Sequence, residues 1–193
     1  MKPNIKKGLY ILAFALMLVC FIYLGAKDYS KDAGKTDGSL FAADYQDVPN
    51  SNNFIYASAT KLQDTLKKGT GLIFIGTSDS KWSQAYAKYL YEASLEYDID
   101  EILYYDIEKD KFQRNTNYQS LLELIEEYTY TTDEYKSELF TPCLIAVNNG
   151  KIIGFNNTTA IMKSDLEPKD FWTLNETFKL KEEVGSYYLA IKR

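Results

Sequence analysis

The sequence predicts an α/β domain built on a mixed sheet, and three observations predict it. Short apolar runs at residues 54–57, 72–75 and 102–107 alternate with helix-compatible stretches, a β-α-β-α-β order whose connections favour parallel neighbours. Further on, apolar runs at 143–147 and 151–155 flank Asn148-Asn149-Gly150, a strong short-range signal for an antiparallel hairpin. A chain of 193 residues, 46% of them hydrophobic, is long enough to bury such a sheet under flanking helices as one domain with appendages.

The chain starts with different material. Residues 8–26 (GLYILAFALMLVCFIYLGA) carry no charge over 19 positions, about the length that crosses a bilayer as a helix. Lys2, Lys6 and Lys7 precede the run, so residues 1–7 are expected in the cytoplasm and the rest of the chain outside. A cleaved signal peptide is the alternative. The run is longer than a signal-peptide core and lacks a clear small-x-small cleavage site, which favours a retained single-pass anchor in the cell membrane. A lipoprotein reading through Cys20 fails on Val19 and on the apolar residues that continue past it. Residues 27–53, rich in Asp, Ser, Gly, Lys and Asn, read as a polar linker, with Leu40, Phe41 and Tyr45 available to dock locally.

The domain is then expected over 54–193. After the strand at 54–57, Ser58 is placed to cap a helix running to Lys68 with Leu62 and Leu66 on one face, and Gly69-Thr70-Gly71 ends it. The strand at 72–75 leads through a polar turn into a helix over 82–97, whose inner side is read as Ala85, Tyr89, Leu90, Ala93 and Leu95. A strand at 102–107 follows, then a charged, loop-like stretch at 108–117. A helix at 118–128 carries Leu121, Leu122, Leu124 and Ile125. Residues 129–139 are polar and Tyr-rich, and their tyrosines are candidates for a ligand surface. After the hairpin, a C-terminal helical extension at about 175–191 offers Phe178, Val184, Tyr188 and Ile191 to the core.

Composition removes several functions. All 27 acidic residues follow the apolar run while three of the 22 basic residues precede it, so the exported part is more acidic than the net −5 of the chain. That argues against nucleic acid as a partner. No histidine is present, which removes the usual general base, Ser-His and Cys-His nucleophile pairs and the commonest zinc ligand. No metal or cofactor is expected. Cys20 and Cys143 are the only cysteines, and an anchor at 8–26 would keep them apart.

The stretch with most chemical content is 71–84, GLIFIGTSDSKWSQ, where a strand turns directly into a helix and aims the helix's unpaired N–H groups at the sheet edge. The order of a strand, Ser80-Lys81-Trp82-Ser83 at the helix start and, much later, Thr141-Pro142 opening a hairpin resembles the thioredoxin superfamily. Within it the chain is similar to the membrane-attached thioredoxin-like proteins of Gram-positive bacteria, including those called bacteriocin transport accessory proteins. The resemblance covers roughly residues 53–160. It implies a thioredoxin-like mixed sheet flanked by helices, preceded here by one N-terminal transmembrane helix. It also implies a cis Pro142 against the motif, leaving the backbone of the residue before it free to pair with an extended chain.

The family's Cys-x-x-Cys is here Ser80-x-x-Ser83, and Phe74 stands where thioredoxins often keep a buried acid. A serine hydroxyl is far less acidic than a thiol and nothing in the sequence would activate it, so dithiol exchange at this motif is excluded and no catalytic residue is assigned. Helix capping accounts for Asp79, Ser80 and Ser83 at least as well as a functional role does. Trp82 reads either as an exposed anchor for a partner or as packing against the hairpin. Cys143 alternates with Ile145 and Val147, which suits a buried position; the other reading is a reactive thiol. The expected function is binding of an extended peptide, or of a secreted or envelope protein, at Ser80, Lys81, Trp82, Ser83, Thr141 and Pro142, as an accessory or assembly factor. The alternatives are a single-cysteine component forming mixed disulfides through Cys143, and a passive scaffold in a membrane complex.

Overall fold

A computed structural model describes residues 36–160 and 165–192. The anchor expected at 8–26 lies outside the described residues, and among those described no helix is long and apolar enough to cross a membrane. The elements in order are α1 (Asp37–Asp44), β1 (Phe54–Tyr56), α2 (Ala59–Lys68), β2 (Gly71–Gly76), α3 (Lys81–Glu96), β3 (Ile102–Asp106), α4 (Glu108–Gln113), α5 (Thr116–Leu124), β4 (Cys143–Asn148), β5 (Lys151–Asn156), α6 (Pro168–Phe171) and α7 (Leu174–Ile191).

The strands form one mixed sheet in the order β1-β3-β2-β4-β5. β1, β3 and β2 run parallel, and β4 lies antiparallel to both β2 and β5. Central β2 is buried over Leu72–Gly76 because helices cover both faces, which explains its continuous apolar run. On one face Leu72, Phe74, Tyr104 and Leu144 pack with Phe41 of α1, Tyr86 and Leu90 of α3 and Val184 of α7. On the other, Ile73, Ile75, Leu103 and Ile145 pack with Leu62 and Leu66 of α2 and Tyr118 and Leu121 of α5. A mixed sheet flanked by helices is thus the observed architecture, and it is compatible with a thioredoxin-like fold.

The β4–β5 turn forms as its dipeptide predicts, with Asn149 at φ 51° and Gly150 at φ 74°. Gly150 also sits where a side chain has no room. Its N–H donates to Gly69 O at 2.8 Å, and a Cβ there would stand 2.2 Å from Lys67 O. Gly150→Ala is expected to cost about 2–3 kcal/mol, read as a lower urea midpoint with an unchanged slope.

Four readings of the sequence need correction. Within the stretch read as linker, Asp37–Asp44 is helical, and the compact unit begins at Asp37. Phe41 and Tyr45 are fully buried, so local docking has become part of the core. The stretch read as a charged loop holds α4 and the start of α5; Asn115 caps α5 by accepting from Tyr118 N at 3.1 Å. On α3 the buried stripe runs through Ser83, Tyr86, Ala87, Leu90, Ala93 and Ser94, and Leu95, off that stripe, is 65% exposed. On α7 the inner positions are Leu180, Val184 and Tyr188, while Phe178 is 59% exposed.

Candidate functional site

The site expected from the sequence lies at the C-terminal end of β2. Residues 77–80 leave the strand there, and α3 begins at Lys81. Cys143 pairs with Ile75 in the antiparallel register, which brings Thr141-Pro142 to the same end of the sheet. The Thr141-Pro142 bond is cis. On the other flank of β2, Gly76 pairs with Asp106.

Both serines serve the backbone. Ser80 is the N-cap of α3, its Oγ accepting from Ser83 N at 3.3 Å. Ser83 is fully buried, and its Oγ accepts from Thr77 N at 3.3 Å, so it holds the turn rather than facing a partner. Gln84 Nε2 donates to Ser78 O and Asp44 O, both at 2.6 Å, tying the turn to the end of α1. Among the described residues neither serine hydroxyl is hydrogen-bonded to a carboxylate, so no general base is set against them.

Lys81 and Trp82 are engaged by a segment that no pattern in the chain places here. Lys81 Nζ pairs with Glu167 at 2.5 Å, with both side chains about half exposed. The Trp82 ring meets that of Phe171 at 6.0 Å and 67°. Trp82 is half-buried, and its ring partner comes from α6 rather than from the hairpin. Trp172 then packs on Tyr89 and Tyr86 of α3, at 4.9 and 6.0 Å between ring centroids. The only local signal for this segment was the Glu-Pro at 167–168, which opens a short helix.

Cys143 is fully buried on the sheet face covered by α2 and α5, whereas α3 covers the opposite face. Burial pushes its thiol far above the usual range, with Lys111 a weaker opposing influence. A thiol so placed stays protonated and is a poor nucleophile. Asp106 is also raised, first by burial and then by the charges of Asp44, Asp79 and Asp110, against a hydrogen bond from Glu108 N. The tyrosines read as a candidate ligand surface are half-buried and engaged by neighbours. Tyr130 lies on Phe140 at 4.9 Å, and the Tyr135 ring lies under the Arg114 guanidinium at 3.7 Å.

No protein-family model matches the chain, and no curated protein matches it. What the arrangement can do is therefore argued from its geometry. It offers a sheet end with a capped helix start, an aromatic pair in Trp82 and Phe171, half-buried Thr141 before buried Pro142, and two serine hydroxyls that accept from backbone N–H groups.

Proposed function

We propose that the chain is a membrane-anchored, extracytoplasmic protein with a degenerate thioredoxin-like domain that binds an extended peptide, or a secreted or envelope protein, as an accessory or assembly factor. The observation that carries the reading is the position of Ser80-Lys81-Trp82-Ser83. They open the helix after the central strand, where the family resemblance implies a Cys-x-x-Cys, and both hydroxyls are committed to backbone N–H groups. Binding would rest on Trp82 and on the backbone at Thr141, where a partner strand can add hydrogen bonds.

Thiol chemistry through Cys143 loses support from its burial and its raised pKa. In the folded chain Cys143 is expected to resist alkylation and to react fully only after denaturation, as read by intact mass on native membranes without reductant. A mixed disulfide at Cys143 would contradict the proposal. The scaffold reading has one observation in its favour, the engagement of Lys81 and Trp82 by Glu167 and Phe171. Replacing Trp82 by Ala separates the two: a peptide binder loses its ligand, whereas a scaffold using another surface keeps its partners.

A further inference from the structure

A cavity of about 220 Å³ lies between the end of β5, α6 and the first half of α7. Phe171, Trp172 and Leu180 give it apolar walls, and Asn156, Glu176 and Glu183 give it polar ones. It is smaller than the roughly 300–1,000 Å³ of small-molecule sites, a size that suits one side chain rather than a whole ligand. Phe171 both lines the cavity and meets Trp82, so the cavity adjoins the proposed binding face.

Its chemistry is set by Glu183. Asn156 Nδ2 donates to one carboxylate oxygen at 2.7 Å and the Tyr187 hydroxyl donates to the other. Asn156 is itself buried and accepts from the fully buried Tyr86 hydroxyl at 2.8 Å. The carboxylate is therefore fixed in place by neutral donors. Among the described residues no lysine or arginine forms an ion pair with it. The other acid in the cavity, Glu176, already holds Lys179 at 2.7 Å. An oriented half-buried carboxylate without a counter-ion, beside two aromatic rings, is the arrangement that receives an ammonium or guanidinium group.

We infer that this cavity is a subsite for a lysine or arginine side chain of the bound chain, an inference that rests on the peptide-binding reading above. Glu183 supplies the charge, Phe171 and Trp172 supply ring faces, and Leu180 packs on the aliphatic stem. Lys179, on the cavity's rim, opposes the ligand's charge and limits its affinity.

The test uses the full-length chain in detergent micelles with two probes, Nα-acetyl-lysine methylamide and its norleucine counterpart. The Trp172 indole N–H, which is buried without a hydrogen-bond partner among the described residues, gives the NMR signal. The lysine probe should shift that signal and the norleucine probe should not. Glu183→Gln keeps the shape; its one amide oxygen can accept from Asn156 while its Nε2 donates to the Tyr187 hydroxyl, and it should weaken the lysine probe about tenfold or more. Lys179→Met should strengthen it. Equal responses to the two probes, or an unchanged affinity in Glu183→Gln, would overturn the subsite. An array of unstructured 12-residue peptides separates this failure from failure of the parent reading. Binding without preference for basic residues removes the subsite and leaves the peptide reading; no peptide bound at all removes that reading, and with it the subsite.

Discussion

Phe41→Ala is expected to destabilise the domain by about 3–5 kcal/mol, the range for removing a fully enclosed aromatic ring. Phe41 has no exposed surface. It stacks on Phe54 at 4.0 Å and Tyr45 at 4.3 Å, and meets Tyr104 edge-on at 5.0 Å. It therefore joins α1 to the first, third and, through Phe74 at 6.4 Å, second strands. Partial collapse of the cavity would be resisted by Tyr45, whose hydroxyl donates to Tyr104 Oη at 3.0 Å and holds that ring in place. Urea unfolding of the full chain reads the effect. A loss under 1 kcal/mol would mean that α1 is only laid on the domain, as a linker would be.

The second large effect belongs to Glu138, which lies in the long connection between α5 and β4 and is nearly buried. Lys111 approaches one carboxylate oxygen at 3.0 Å and Arg114 the other at 2.6 Å. Burial would raise its pKa, but the hydrogen bonds and charges of Arg114 and Lys111 outweigh burial and hold the carboxyl below its usual range. A lowered folded pKa means that the stabilisation is fully present above the unfolded value, about 4.3, and is lost as pH falls through the lower folded value. Glu138→Gln should therefore cost about 1.5–3 kcal/mol at pH 7, and its deficit relative to wild type should shrink under acid. Thermal unfolding of both chains between pH 7 and pH 3 checks it; a pH-independent deficit would assign the loss to packing.

The parts of the fold that were legible in the sequence are those whose cause is local. Asn149-Gly150 sets a turn by its own backbone preferences, and Ser58 caps α2 by accepting from Lys61 N, three residues on. The strict alternation of 143–147 placed Cys143, Ile145 and Val147 on one face and Leu144 and Ala146 on the other, as observed. What was not legible depends on contacts distant in sequence. Helix α1 is set in an Asp-, Gly- and Ser-rich stretch, and its burial comes from rings at positions 54, 74 and 104. Helix α4 has six residues and no apolar period, and its one aromatic, Phe112, is 88% exposed. At the site, Ser80 capped as its position suggested, because a cap is a local bond. The covering of Lys81 and Trp82 joins residues more than eighty positions apart, and no pattern within either segment points to it.

The most direct measurement of the central claim is site-specific photo-crosslinking from position 82 in native membranes, with the adducts mapped by mass spectrometry and repeated in a Cys143→Ala chain. Binding without thiol chemistry predicts adducts between position 82 and an extended segment of a partner, equally abundant with and without Cys143. Adducts that vanish when Cys143 is removed, or that form from Phe112 or Leu95 but not from position 82, would contradict it.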